Sequence, residues 1–270
     1  MTERVASLGM YDLPWVQAAN DALWAAIAAR LRARDVAEVP LWLDRGRPLR
    51  AIWGDPGLLL AQTCGYPLAT ELAGQVTVVA TPCYAADGCT GPEHGSLVVV
   101  RERSAATSLA DLRGTRVALN GHDSNTGMNL LRALVAPLAE RGRFFGEVMV
   151  TGAHLASLAA VAAGEADVAA IDCVTQALLA RHEPGLLAGT RILARTASTP
   201  GLPLVTRAEA PPAELAALRE ALAEVVADSA LSEVCDQLLL TGFTILPVEA
   251  YGRVAALERA AAEAGYPVLA

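Results

Sequence analysis

The residues best suited to do chemistry are those of Asn120-Gly121-His122-Asp123-Ser124-Asn125-Thr126-Gly127. Ser124, Asn125 and Thr126 bring hydroxyl and amide donors, and Gly127 removes the side-chain bulk that would keep backbone N–H groups away from a ligand. The segment follows the apolar run Arg116-Val117-Ala118-Leu119-Asn120 and precedes Leu131, Leu134, Val135 and Leu138, which share one helix face. It therefore stands where a strand gives way to a helix N-terminus, whose unpaired amides and dipole favour an anion. A phosphate or carboxylate is the ligand such a turn would take. An ordinary N-cap, with Asp123 or Ser124 accepting the first amides, uses the same residue types, and both readings stand at this point.

Other strand ends carry reactive side chains. His122, His154, Asp172 and Cys173 would form a metal site or a Cys–His–Asp set if they converged, although their spacing matches no metal-ligand pattern. The plainer alternative has His154 bracing the site and Cys173 and Cys64 filling space as small hydrophobes. Tyr11 and Trp53 serve as ligand-facing walls or as core aromatics, and Arg116 and Arg132 as anion neighbours or surface charges. Pro82-Cys83-Tyr84-Ala85-Ala86-Asp87-Gly88-Cys89 reads as a long loop that gates a ligand or simply runs over the surface. The five cysteines (Cys64, Cys83, Cys89, Cys173, Cys235) fit no zinc motif. Cys83 and Cys89 would close a small loop in an oxidising compartment and stay free thiols in a reducing one.

The composition narrows the chemistry. The chain has 270 residues, 53% of them hydrophobic, enough for a sizeable core in two modest lobes or one large α/β unit. No apolar run approaches the roughly 18 residues of a membrane span. A net charge of −8 argues against a nucleic-acid partner. All 21 basic residues are arginines, which excludes a Schiff-base lysine, a lysine-held pyridoxal phosphate and a Walker-A loop. Arginines and backbone amides must do any anion binding, and no cofactor is implied. Met1-Thr2-Glu3-Arg4 has no basic n-region or apolar h-region, as expected of a cytoplasmic chain or of one whose signal has been removed.

The elements that must position these residues alternate. Strands are expected at Val5–Met10, Leu58–Leu60, Val76–Ala80, Leu97–Val100, Arg116–Asn120, Val148–Val150, Val168–Ile171, Ile192–Ala194 and Leu204–Thr206. Leu23, Ile27 and Leu31 mark a helix over about 14–34, and Leu155, Leu158, Val161 and Ala162 mark one from His154 stopped by Gly164. From Pro211 to the end the pattern reads as helix. This is an α/β fold with mostly parallel sheets, whose functional groups collect where strand carboxyl ends meet helix starts.

Four segments occur in a telling order: Ser108-Leu109-Ala110-Asp111-Leu112-Arg113-Gly114-Thr115-Arg116-Val117-Ala118; the Ser124-Asn125-Thr126-Gly127 turn; Thr151-Gly152-Ala153-His154; and Gly164-Glu165-Ala166-Asp167-Val168-Ala169-Ala170-Ile171-Asp172. Over about 96–206 the chain resembles the substrate-binding proteins of phosphate, phosphite and phosphonate ABC transporters, the PhnD-like family. The resemblance implies a type II periplasmic-binding-protein fold, in which two α/β lobes joined by two hinge strands close on a ligand in the cleft between them. Lobe one would be 1–100 plus 205–270 and lobe two 101–204, with hinges near Arg101–Ser104 and Ser198–Pro203. A periplasmic location follows from the same likeness.

By that resemblance Ser124, Asn125, Thr126 and Gly127, after Asn120, grip the ligand's oxygens. Tyr11, Thr63, Cys64 and Tyr84 contribute from lobe one, and His154 and Asp172 from lobe two. Where aminophosphonate binders have an acid after Gly-x-His, this chain has Leu155, which points to an anion without an amine. The expected function is capture of a small oxyanion, by a monomer that hands it to an ABC permease. Two alternatives use the same architecture: a cytosolic dehydratase or lyase like those of the futalosine route to menaquinone, with Asp172 or His154 as acid or base, and a cytosolic ligand sensor.

Overall fold

Short apolar runs become strands buried along nearly their whole length, as in Leu58–Gln62, Ser96–Arg101 and Val168–Asp172. In the computed structural model, which describes residues 4–270, these strands belong to two compact units. The first is 4–85 with Thr90–Pro92 and Pro200–Tyr251; the second is Ala86–Cys89, Glu93–Thr199 and Gly252–Ala270.

The first unit holds a five-stranded sheet in the spatial order Val5–Ser7, Leu58–Gln62, Leu204–Arg207, Val76–Tyr84, Leu240–Thr244. Only its first two strands pair in parallel. Leu204–Arg207 runs antiparallel to both neighbours, and Leu240–Thr244 antiparallel to Val76–Tyr84. Ile52, Trp53, Leu58, Leu68, Val205 and Tyr251 pack in one core cluster, and the Tyr251 hydroxyl reaches Thr81 Oγ1 at 2.7 Å. Helix Gln17–Arg32 lies against helix Pro212–Ala227.

The second unit's sheet runs Thr190–Arg195, Ser96–Arg101, Val168–Asp172, Arg116–Leu119, Glu147–Val150. Its first two pairings are antiparallel and its last two parallel. Helix His154–Ala163 packs on this sheet and ends at Gly164, whose φ of +79° is the left-handed stop the sequence predicts.

Three expectations are corrected. The α/β alternation holds, but the sheets are mixed, because the strands by which the chain returns run against the parallel ones. The segment after Pro211 is not continuous helix. Helices Pro212–Ala227, Ser232–Gln237 and Gly252–Glu263 are separated by the strand Leu240–Thr244, since Gly242 and Pro247 break the helical pattern around an apolar run. The last helix packs in the second unit rather than with the N-terminal segment, as do residues 96–100. Hydrogen bonds hold it and the segment after it there: Asn129 Nδ2 donates to Val254 O at 3.0 Å, and Arg132 NH1 to Pro267 O at 2.8 Å. Among the described residues no helix is long and apolar enough to cross a membrane.

Candidate functional site

The turn after Arg116–Leu119 is capped by Ser124, an extended residue whose Oγ accepts from Gly127 N at 2.9 Å. The first helical turn, Asn125–Asn129, is π-helical, with Asn129 N donating to Ser124 O at 3.0 Å, and it continues into the α-helix Leu130–Val135. Of the two sequence readings, the N-cap is the one the geometry shows directly. Ser124 is an N-cap, and it takes one of the several amides that a helix start leaves without intrahelical acceptors. A widened π turn is a common device at functional sites. Asn125 and Thr126 are 0% and 3% exposed.

The absence of a side chain at Gly127 is required. A Cβ there would stand 1.8 Å from Asn120 Oδ1, an oxygen that is buried without a hydrogen-bond partner. The same Asn120 turns its Nδ2 to His154 Nε2 at 3.4 Å, and Thr126 Oγ1 lies 3.2 Å from that nitrogen. Burial pushes the His154 imidazole below its ordinary range, opposed by the Asp172 charge. The shift favours the neutral ring at neutral pH.

Asp172 ends the strand next to Arg116–Leu119 and caps the following helix, its Oδ1 accepting from Val174 N at 2.9 Å and Thr175 N at 3.0 Å. Its Oδ2 faces His94 Nδ1 at 3.4 Å. Burial pushes the His94 ring down, again against the pull of Asp172. Ser96, opposite Asp172 in the strand register, donates its hydroxyl to Thr126 O at 2.7 Å. Asn120, Ser124, Thr126, Gly127, His154 and Asp172 therefore gather at the carboxyl ends of three parallel strands, Arg116–Leu119, Glu147–Val150 and Val168–Asp172, joined by His94 and Ser96. The sequence reading missed those two. A lone histidine between Pro92 and Gly95 carries no periodic signal, and Ser96 looks like the first residue of an apolar strand.

Asn125 has a different part. Its Nδ2 donates to Thr199 Oγ1 at 2.9 Å, and its Oδ1 accepts from Asn129 Nδ2 at 3.1 Å. Asn129 Oδ1 in turn accepts from Arg132 NH2 at 2.7 Å. Arg132 thus ties the turn to the C-terminal segment, while Arg116, at the opposite end of its strand from Asn120, is engaged by Asp167 and the Gly164 carbonyl.

In the first unit Tyr11 and Tyr84 meet edge to face with ring centroids 5.4 Å apart. Gln62 Nε2, also unforeseen, donates to the Tyr84 hydroxyl at 3.2 Å. Thr63 and Cys64 follow at the end of the Leu58–Gln62 strand and are buried; Thr63 N donates to Pro203 O at 2.9 Å, and Cys64 precedes the short helix Gly65–Ala69. Trp53 is a core residue whose indole donates to Gln62 O at 3.0 Å. The loop expected over Pro82–Cys89 is shorter, confined to residues 85–88, because Pro82, Cys83 and Tyr84 continue the strand paired with Leu240–Thr244 and Cys89 opens the next.

Neither reactive alternative has a geometric basis. Among the described residues no group of three or more His, Cys, Asp and Glu side chains is placed to hold a metal. The Cys173 sulfur meets Cys89 rather than a histidine, and that contact, burial and the Asp172 charge all push its thiol up, away from a nucleophile's range. Cys83 lies against Thr81 O and Thr244 Oγ1, and neither Cys83 nor Cys89 is in a disulfide, so the Cys83–Cys89 closure is not formed.

Comparison with known proteins gives the same direction. No curated protein sequence matches. Several solved structures do over nearly the whole chain. A binding protein component of an ABC phosphonate transporter from Pseudomonas aeruginosa is 16% identical with a TM-score of 0.76, covering 98% of this chain and 88% of that one. PhnD1 from Prochlorococcus marinus, in complex with methylphosphonate, is 15% identical with a TM-score of 0.75, covering 95% and 97%. XAC2383 from Xanthomonas citri, bound to ATP, is 19% identical with a TM-score of 0.71, covering 97% of each chain. At these identities the likeness is one of fold, the α/β fold of type II periplasmic binding proteins. The family model for the periplasmic phosphonate substrate-binding protein of ABC transporters matches residues 55–251. The chain therefore belongs to the phosphonate-binding family of ABC transporter periplasmic substrate-binding proteins, a family of carriers and not of enzymes.

Proposed function

We propose that this protein captures a small oxyanion without an amine, such as methylphosphonate, phosphite or phosphate, and presents it to an ABC permease. The observation that carries the reading is the Ser124-capped π turn, whose Asn125–Gly127 segment is backed by the Thr126 hydroxyl and a neutral His154. Backbone amides and hydroxyls supply donors there without a lysine, and the helix dipole adds favourable charge. Ser124, Thr126, Gly127, Asn120 and His154 are the proposed contacts in the second unit, with the Asn125 backbone. Tyr11, Thr63, Cys64 and Tyr84 are those proposed in the first. Asp172 spends Oδ1 on its helix cap and turns Oδ2 to His94, and Leu155 occupies the position after His154. Both favour a ligand with no ammonium group to hold.

Calorimetry on ligand-stripped protein with methylphosphonate, phosphite, phosphate and 2-aminoethylphosphonate tests the proposal. Saturable binding of one of the first three, tighter than that of the aminophosphonate, is expected. Failure of every oxyanion at millimolar concentration to bind or to raise the melting temperature would overturn it.

A further inference from the structure

Cys89 and Cys173 are 84 positions apart in sequence, yet their sulfurs lie 3.4 Å from one another. Neither is part of the oxyanion reading. Cys173 opens the helix Cys173–His182 directly after Asp172 and is buried; Cys89 is half-buried at the start of the short strand Cys89–Thr90. The preceding residue lets the two approach. Gly88 has a φ of +101°, which disfavours any side chain, and a Cβ on it would stand 3.0 Å from Cys173 Cβ and 3.4 Å from its sulfur. Asp87, next in line, is paired with Arg195, and Cys173 N donates to Gly95 O at 3.2 Å. Both cysteines are thus set on anchored backbone, with their sulfurs already in contact.

We infer that Cys89 and Cys173 form a disulfide when the protein meets an oxidising thiol–disulfide environment. A bond length near 2.05 Å is about 1.4 Å shorter than the present contact, a distance side-chain rotation covers. The half-buried Cys89 is the sulfur a small-molecule disulfide reaches first. Its thiolate attacks that disulfide, forming a mixed disulfide and releasing one small thiolate. The Cys173 thiol, 3.4 Å away, then attacks the Cys89 sulfur and passes its proton to the departing second small thiolate, which leaves as a thiol. Two protein thiols are oxidised and one small-molecule disulfide is reduced to two thiols. The bond would staple the Asp87–Cys89 segment to the helix start beside Asp172.

The test uses the full chain, purified reduced and then incubated with excess glutathione disulfide. Alkylation after denaturation should find two of the five thiols lost, and peptide mapping should recover one linked pair holding residues 89 and 173. The link should vanish in Cys89→Ser and persist in Cys83→Ser. Oxidation should raise the melting temperature by about 5–10 °C, as expected for closing so long a loop. Should Cys173→Ser fail to fold, Cys89→Ser alone decides. Five alkylatable thiols after oxidation, glutathione left on Cys89, or a link that survives Cys89→Ser would each overturn the inference, whatever the outcome of the oxyanion titrations.

Discussion

Asp172 Oδ2 lies 3.4 Å from His94 Nδ1, with both side chains closed off from solvent. A buried carboxylate would ordinarily draw a proton onto such an imidazole, but here burial wins and His94 sits below its usual range, as does His154.

That balance sets an acid limb of stability. The unfolded chain binds protons on both histidines as pH falls through about 6.5, while the folded chain resists them until its depressed values are reached. The stabilisation is complete above that range and lost below it, with a slope of up to about 1.4 kcal/mol per pH unit for each ring. Asp87, held low by Arg195, Glu93, held low by Arg253, and Asp111, held low by the Thr107 and Ser108 amides, add their losses only near and below about pH 4. Thermal melts should be flat from pH 8 to 7 and fall between about pH 6.5 and 5, less steeply in His94→Gln. A constant melting temperature through that interval would contradict this assignment.

Thr126→Val keeps the volume and removes the hydroxyl beside His154 Nε2. Oxyanion affinity should drop roughly ten- to a hundredfold, the range for a hydrogen bond to a charged group, while the ligand-free melting temperature stays within a few degrees. An unchanged dissociation constant by calorimetry would remove Thr126 from the site.

Gly127→Ala forces the Asn120 side chain out of its place against the turn and should cost about 1–3 kcal/mol. In an Asn120→Ala background the same change should cost much less. Denaturant melts of the four proteins in this double-mutant cycle measure the coupling, and additive costs would show that some other neighbour excludes the methyl.

Arg132 is almost fully buried and bridges Asn129 Oδ1 to Pro267 O. Arg132→Met should destabilise the protein by about 2–4 kcal/mol and speed amide exchange in Val268–Ala270. Arg132→Lys should not restore protection, because one ammonium cannot reproduce the two-pronged geometry.

The fold was largely readable where local signals agreed. Gly164 stops its helix and Gly114 follows the short turn Leu109–Leu112, both at positive φ, and Ser108 and Asp111 form a capping box there. The turn at Ser124 was legible because hydroxyls, an amide and a glycine cluster between a strand and a helix. What the sequence hid was non-local. Gly242 and Pro247 interrupt the helical pattern that Leu238-Leu239 continues, but the strand's partner, Val76–Tyr84, lies far back in the chain. His94 gains its place from Asp172, far along the chain, and Cys89 meets Cys173 rather than the nearer Cys83. No spacing rule could announce either pairing.

The interleaving of the two units has a consequence for how the chain is made. The strand Leu204–Arg207 fills the middle of the first sheet, between Leu58–Gln62 and Val76–Tyr84, and residues 252–270 supply the helix that covers Asn129 in the second. A nascent chain emerging from the ribosome therefore carries a first sheet with an open slot, then a second unit lacking its cover, through most of its synthesis. Neither can be completed in order of translation: the first sheet keeps two unpaired inner edges until Leu204–Arg207 is made, and the second unit waits for residues 252–270.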